Sequence, residues 1–347
     1  MANPTLNNAR YNPYDEFYTL YESIEETVLP NKEFFRDRIV YCNCDDYRIS
    51  NFFRFFVYNF NTLQLKRLHC TNYTDLRNIG SVKDSFHIEI NCVNDTVLLN
   101  DSAHSIDMEA LLSLEDNHVM QLSDSGDFRS PECIEILKLS DIVVTNPPFS
   151  LIHEFVDVLV KSKKKFLIIA PLTVVNAVNS SRHFVSGEFA FVPNLVQSFI
   201  LVKNGHSKLC SMGSTYWITN LSIKKESKQF IKRYSPEEYP TLCNYNAIYV
   251  KSYRDIPVDY SGFMAVPLSY AVWHDPDKFT CIGITNKYAN EVVNQAWINS
   301  LISEIKLHDA YCPIIQVSEI NKNDKSVYCV NGKYYKQLFK QLIIRRK

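Results

Sequence analysis

An apolar run that stops at two prolines constrains this chain more than any other segment. Residues 141–150 read Asp-Ile-Val-Val-Thr-Asn-Pro-Pro-Phe-Ser. The β-branched residues favour a strand, and Pro147 and Pro148 end it because proline has a restricted φ and no backbone donor. We therefore predict a buried strand over 141–145, with Asn146 just past its carboxyl end. Ligands of open α/β sheets bind at that edge.

A second apolar run, over residues 165–170, ends at Pro171. Between the two runs, the segment 151–160 carries apolar residues at helical spacing. Continuous apolar strands that alternate with helices are typical of a parallel sheet covered on both faces. The sequence therefore predicts an α/β fold.

Weaker patterns predict the remaining elements and the domain order. Further predicted helices span 20–28, 51–60 after a Ser50 cap, 131–137 after a Ser130 cap, and 289–307. Further predicted strands span 38–43, 65–70, 87–93, 96–99, 216–221, 247–250 and 279–285. We predict a flexible arm over 1–14, a catalytic domain over 15–220 and a mixed α/β module over 221–347.

Composition excludes several classes of protein. At 347 residues and 46% hydrophobic, the chain can bury a large core, but it has no continuous apolar stretch of membrane-spanning length. The amino terminus lacks the pattern of a secretory signal, so we expect a cytoplasmic protein without a membrane partner. The ten cysteines are then expected to be reduced. Only Cys42 and Cys44 lie close together, without a second pair at zinc-ligand spacing, so no metal is predicted.

The residues at the end of the first apolar run suit chemistry on an amino group. The side-chain carbonyl of Asn146 and the backbone carbonyl of Pro147 can accept two hydrogen bonds from an exocyclic amine. Phe149 offers a surface on which a planar base can stack. This set suits methyl transfer to a nitrogen whose lone pair is delocalised into a ring. The alternative is that Asn-Pro-Pro only forms a turn after the strand.

The acidic pair that follows the first predicted strand indicates a nucleoside-like cofactor. Asp45 and Asp46 can accept hydrogen bonds from ribose hydroxyls or an amine. The segment 43–47 contains no glycine, which argues against NAD, FAD or a P-loop nucleotide. A cofactor without phosphates, such as S-adenosylmethionine, remains compatible. The alternative is a solvated acidic turn.

Two other segments can complete a cofactor pocket. Asp127 lies in a turn before the key strand and can accept from an adenine amine, while Phe128 can pack on the ring. Glu16, Phe17 and Tyr18 can cover the methionine part of the cofactor. Taken alone, the first segment is equally compatible with an ordinary turn and the second with the start of a helix.

Several motifs together resemble the EcoRI-type adenine-specific DNA methyltransferases over most of the chain. The matching segments are 15–19 (Asp-Glu-Phe-Tyr-Thr), 40–46 (Val-Tyr-Cys-Asn-Cys-Asp-Asp), 50–53 (Ser-Asn-Phe-Phe), 126–130 (Gly-Asp-Phe-Arg-Ser), 140–150, 255–267, 282–283 and 343–347. The resemblance implies a Rossmann-like sheet that binds S-adenosylmethionine, followed by a carboxyl-terminal target-recognition module.

The resemblance also implies the activity and its residues. The expected reaction is methylation of adenine N6 in duplex DNA after base flipping, in a restriction-modification system or by a solitary enzyme. Asn146, Pro147, Pro148 and Phe149 would be catalytic, and Asn43 would join the acidic and aromatic residues of the cofactor pocket. Two alternatives remain open, namely a methyltransferase acting on RNA adenine or a protein glutamine amide, and an inactive DNA-binding regulator.

Overall fold

The computed structural model describes residues 16–74, 84–99, 104–203, 206–242, 245–285, 314–317, 327–330, 333–337 and 339–347. These residues cluster into two compact units. The first comprises the described residues up to Pro171 together with Phe191–Lys224. The second comprises Leu172–Ala190 and the described residues from Lys225 onward. The predicted arm over 1–14 and the predicted helix over 289–307 lie outside the described residues.

The helices follow the amphipathic segments of the sequence. They are α1 (Tyr21–Val28), α2 (Asn51–Tyr58), α3 (Met108–Ser113), α4 (Pro131–Leu139), α5 (Ile152–Lys161) and α6 (Val178–Val185). Both predicted caps are confirmed. Ser50 accepts hydrogen bonds from the backbone N–H groups of Phe52 and Phe53, and Ser130 accepts one from Cys133.

The strands of the first unit form two sheets. They are β1 (Glu16–Thr19), β2 (Ile39–Asn43), β3 (Arg67–Thr71), β4 (Phe86–Ile90), β5 (His118–Gln121), β6 (Ile142–Thr145), β7 (Lys165–Pro171), β8 (Ala190–Leu195), β9 (Ser198–Lys203), β10 (His206–Ser211) and β11 (Thr215–Thr219). The larger sheet has the order β5-β4-β3-β2-β6-β7-β11-β8, and the smaller one has the order β1-β9-β10. Strands β3, β2, β6 and β7 are parallel to one another.

The larger sheet is mixed, which corrects the prediction of a parallel sheet. Strands β4 and β5 extend it antiparallel at one edge, and β11 pairs antiparallel with β7. The predicted strand over 96–99 is wrong, because that segment makes only a turn and one isolated bridge, between Leu98 and Ile106. The strand that pairs with β4 is β5, which has mostly exposed side chains and therefore lacks an apolar signal.

The core of the first unit lies where α1 and α2 pack on one face of the sheet. Phe52, Phe53, Phe55 and Phe56 of α2 are all buried, and they join aliphatic side chains from β2, β3, β6 and β7. Full burial of one such side chain contributes about 1.5–3 kcal/mol. This packing fixes the position of the central strands. It therefore also fixes the carboxyl ends of β2 and β6.

The second unit contains two smaller sheets. Their strands are β12 (Ala247–Tyr249), β13 (Phe263–Pro267), β14 (Phe279–Ile284), β15 (Ile314–Val317), β16 (Val327–Val330), β17 (Lys333–Gln337) and β18 (Gln341–Arg346). One sheet has the order β12-β13-β18-β14 and the other β15-β17-β16. Leu342, Ile343 and Ile344 of β18 are buried, so the carboxyl-terminal strand is part of the core of this unit. Among the helices of the described residues, none combines the length and hydropathy that a bilayer-spanning helix requires.

Candidate active site

The strand order creates a switch point between β2 and β6. From β2 the chain continues to β3 on one side, and from β6 it continues to β7 on the other. Because β2 and β6 are parallel neighbours, their carboxyl ends open into the same crevice. The predicted cofactor segment, residues 43–46, begins at the last residue of β2, and the predicted catalytic tetrad, residues 146–149, follows β6. The fold therefore brings the two strongest sequence motifs together.

Asn146 has a fixed orientation and a free acceptor. Its Nδ2 donates to the backbone carbonyl of Phe17 at 2.9 Å, which identifies the nitrogen end of the amide. Its Oδ1 is buried and has no hydrogen-bond partner among the described residues. A buried amide oxygen without a partner is costly, and a donor from a ligand would satisfy it.

The remaining residues of the tetrad lie at the start of the turn into α5. Pro147 is buried and Pro148 is exposed, with the carbonyl of Pro148 accepting from the backbone of Leu151 at 2.9 Å. The partly exposed ring of Phe149 packs edge-on against Phe199, with the ring centroids 6.4 Å apart. Phe149 is thus held by the protein while part of its ring stays accessible.

Asp45 is buried and hydrogen-bonded to two hydroxyl groups. Ser50 Oγ donates to its Oδ1 at 2.7 Å, and Thr145 Oγ1 contacts its Oδ2. Thr145 Oγ1 also contacts the backbone carbonyl of Asn43. Burial raises the pKa of Asp45 to about 7, against an ordinary value of 3.8. Asp45 thereby joins the loop after β2 to the end of β6.

Only one proton is available on the Thr145 hydroxyl for two acceptors. The carbonyl of Asn43 can only accept, so Thr145 donates to it. A proton on Asp45 Oδ2 can then be donated to Thr145 Oγ1. With Asp45 protonated, each of the contacts among Asp45, Ser50, Thr145 and the Asn43 carbonyl has one donor and one acceptor. This agrees with the raised pKa of Asp45.

Asn43 ends β2, and Asp46 lies in the loop that follows. Asn43 is buried, and its Oδ1 has no partner among the described residues. Asp46 forms an ion pair with Arg48, which also pairs with Asp84 at 2.8 Å. Between them, Cys44 has a φ of 65°, in the left-handed region, so it turns the loop away from the strand direction.

The turn that contains Asp127 packs against the end of β3. A Cβ on Gly126 would lie 2.0 Å from the carbonyl oxygen of Asn72, so only glycine allows this approach. Asn72 directly follows Thr71, whose carbonyl accepts from the backbone N–H of Asp45 at 2.8 Å. The turn is therefore attached to the same edge of the sheet as the loop after β2.

Arg129 holds the carboxylate of Asp127. It donates from Nε and Nη2 at 2.9 and 2.7 Å, and these hydrogen bonds lower the pKa of Asp127. Nη1 of Arg129 reaches Glu154 of α5 at 2.6 Å. Phe128 is buried edge-on against Phe155, at 4.9 Å between centroids.

The segment Glu16–Thr19 forms a strand, not the start of a helix. Phe17 pairs with Leu201 and Tyr18 with Ile200 of β9. Both side chains are partly exposed, whereas the side chain of Glu16 lies outside the described part of the structure. The link from Phe17 to Asn146 attaches this strand to the tetrad.

Sequence reasoning missed Thr145, the second role of Ser50, and Arg129. A threonine hydroxyl in an otherwise aliphatic strand was the available signal for Thr145, since a buried hydroxyl requires a partner. Ser50 was recognised only as a helix cap, although its own proton is donated to Asp45. The contact of Arg129 with Glu154 spans 25 positions, a distance at which no local pattern applies.

Comparisons with known proteins identify the family. The family model described as "Adenine-specific methyltransferase EcoRI" matches residues 5–347. The chain is similar to the type II methyltransferase M.EcoRI of Escherichia coli, with 35% identity over 304 residues, covering 81% of this chain and 89% of the relative.

Two mycoplasma proteins show similar relationships. The type II methyltransferase M.MgeORF184P of Mycoplasma genitalium is 31% identical over 307 residues, covering 82% of this chain and 87% of the relative. The type II methyltransferase M.MpnI of Mycoplasma pneumoniae is 32% identical over 308 residues, with the same coverage of 82% and 87%. No solved structure matches the chain significantly.

Proposed function

The chain belongs to the EcoRI-type family of adenine-specific methyltransferases and is a DNA adenine methyltransferase; on that premise we propose how its site works. It transfers the methyl group of S-adenosylmethionine to N6 of an adenine flipped out of duplex DNA. The observation that carries this proposal is the oriented, unpartnered Oδ1 of Asn146 at the switch point of the sheet. The names of the relatives favour a role in modification, within a restriction-modification system or as a solitary enzyme.

The tetrad acts by positioning and polarising the amine. Flipping the adenine costs a few kcal/mol, which stacking on Phe149 offsets in part. The two N6 protons are donated to Asn146 Oδ1 and to the carbonyl of Pro147. These bonds draw the nitrogen toward a tetrahedral geometry, so its lone pair is available for attack. The excess proton leaves N6 for water after transfer, and no general base is required.

The loops around the crevice fit a cofactor without phosphates. The buried Oδ1 of Asn43 needs a donor, such as a hydroxyl or an amino group. We assign Asp46, Asp127, Phe17 and Tyr18 to the same pocket, because the Asp127 turn packs against Asn72 and the backbone of Phe17 bonds to Asn146. S-adenosylmethionine supplies an electrophilic methyl group on its sulfonium.

We assign Asp45 a positioning role, and Phe128 a role in packing. Both oxygens of Asp45 already contact hydroxyl groups, so this residue joins the cofactor loop to the catalytic strand. Phe128 is buried against Phe155 of α5, and this contact anchors the Asp127 turn. Contacts of either residue with the cofactor stay predictions.

The larger sheet supports a Rossmann-like assignment, and we propose the second unit as the target-recognition region. The Rossmann-like features of this sheet are its four parallel central strands and the switch point between β2 and β6. In the second unit, Lys232 pairs with Asp255 at 2.9 Å and Arg233 lies 3.5 Å from Asp259. Contacts of these two cations with phosphates would therefore compete with existing ion pairs.

Product analysis tests the proposed function. The full-length protein is incubated with S-adenosylmethionine and a mixed-sequence DNA duplex, single-stranded DNA or RNA, and the digested products are identified by mass spectrometry. N6-methyladenine in the duplex sample, lost in Asn146→Ala and retained in the exposed-turn control Asn94→Ala, is expected. Methylcytosine, methylated RNA alone, or methylated protein would contradict the proposal, and no product at all would favour a DNA-binding regulator.

A further inference from the structure

Four side chains with metal-binding chemistry lie on one face of the sheet edge formed by β3, β4 and β5. His69 is opposite Glu89, and Glu89 is opposite His118 in the strand register. His87 precedes Glu89 by two positions, so both point to the same face of β4. This face is the one opposite to that of Ile88, which joins the apolar core. The cluster thus follows from the strand pairing.

The donor atoms of the cluster lie close together. His69 Nδ1 is 2.9 Å from His87 Nε2 and 3.7 Å from Glu89 Oε2. His118 Nε2 is 4.0 Å from the same carboxylate oxygen. His69, His87 and Glu89 each offer one ligand atom, and these three atoms lie within 4.8 Å of one another. Tetrahedral zinc with bonds of 2.0–2.1 Å requires ligand atoms about 3.3 Å apart, which movements of less than about 1 Å by His69, His87 and Glu89 would produce.

The carboxylate of Glu89 is oriented with one oxygen toward the imidazoles. Its Oε1 forms an ion pair with Arg67 Nη1 at 3.0 Å and accepts a hydrogen bond from Asn91 Nδ2 at 3.1 Å. Its Oε2 faces His69 and His118. Neighbours that hold the outer atom of a ligand and direct the inner one are usual around metal ions in proteins.

Each imidazole ring directs one nitrogen toward the cluster. His118 Nδ1 is 3.2 Å from the carbonyl of Asp116, and because a carbonyl only accepts, Nδ1 is the donor and Nε2 is the nitrogen that faces Glu89. His69 Nε2 is buried without a partner, which leaves Nδ1 as the nitrogen directed at the cluster.

We propose that His69, His87, His118 and Glu89 bind one divalent transition-metal ion of the zinc class. Three nitrogens and one carboxylate oxygen form a donor set that suits Zn²⁺ better than Mg²⁺ or Ca²⁺, which prefer oxygen ligands. Bound metal would replace the His69–His87 hydrogen bond and crosslink three strands. The half-exposed side chain of His118 gives the ion a route from solvent. The site is separate from the tetrad and assists stability, not methyl transfer.

Calorimetric titration of metal-free full-length protein with ZnCl₂ tests this proposal. We expect one saturable site in the wild type, and a dissociation constant raised at least about 10- to 100-fold in His118→Ala and in Glu89→Gln. His153→Ala, on α5, is the matched control and should keep wild-type affinity. Because the side chain of His118 is half-exposed, its replacement should leave the fold intact, as circular dichroism can verify.

Cobalt substitution gives a readout that does not depend on a variant. Tetrahedral Co²⁺ bound through nitrogen and oxygen should show visible absorption bands that Zn²⁺ displaces. Zinc should also raise the temperature of unfolding of the wild type and the control but not of His118→Ala. Absence of saturable zinc binding, or equal affinity in the wild type and both ligand variants, would overturn the proposal.

Discussion

Replacing Asp45 by asparagine should make the protein more stable at alkaline pH. The pKa of this buried carboxyl is raised from 3.8 to about 7 in the folded state. Between about pH 4 and pH 7 the folded state therefore holds a proton that the unfolded state has lost. Stability falls with rising pH wherever the folded state binds more protons, so this group lowers stability as pH rises through that window. At 1.36 kcal/mol per pH unit, the loss reaches about 4 kcal/mol above pH 7.

Asparagine reproduces the hydrogen bonding of the protonated carboxyl. Its oxygen can accept from Ser50, and its amide nitrogen can donate to Thr145, which keeps its own bond to the carbonyl of Asn43. Asp45→Asn should therefore match the wild type near pH 4 and exceed its unfolding free energy at pH 8, by up to about 4 kcal/mol. Asp45→Ala, in contrast, leaves two buried hydroxyl groups without this partner and should be destabilised at both pH values.

Urea unfolding of the wild type and both variants, at pH 4.5 and pH 8, provides the measurement. Other titrating groups, including His69 and His87, are common to all three proteins, so the difference between proteins isolates Asp45. A stability difference between Asp45→Asn and wild type that is the same at both pH values would refute the reasoning. So would an Asp45→Asn protein that is less stable than wild type at pH 8.

Three further changes separate the roles of the other site residues. Asn146→Ala should cut the single-turnover rate of methyl transfer about 100-fold or more while calorimetry shows unchanged cofactor affinity; near-normal chemistry would contradict its acceptor role. Phe149→Ala should lose about 1–3 kcal/mol of stacking, seen as a smaller fluorescence rise of 2-aminopurine at the target position, and an undiminished rise would count against stacking. Asp127→Ala should weaken S-adenosylmethionine binding about 10- to 150-fold, from a lost charged hydrogen bond of about 1.5–3 kcal/mol, and calorimetry showing equal affinity would remove it from the pocket.

The sequence alone determined the elements that carry the tetrad. Residues 142–145 form the predicted strand, and Asn146 follows it, because β-branched residues and two prolines impose their preferences locally. The caps of α2 and α4 were predictable for the same reason, since Ser50 and Ser130 bond to N–H groups two or three positions away. The short motifs also predicted the family, and the comparisons confirmed it.

Tertiary structure alone decided which of these residues meet, and in what state. Thr145 contacts Asp45 across 100 positions, and Asn146 bonds to Phe17 across 129, so neither contact leaves a local pattern. The raised pKa of Asp45 depends on burial, which exists only once the sheet and its helices have packed. The histidine–glutamate cluster depends on the antiparallel register of β3, β4 and β5, which is set by pairing between distant segments. Local preferences determine the strand and its end, whereas desolvation and strand register are properties of the packed chain.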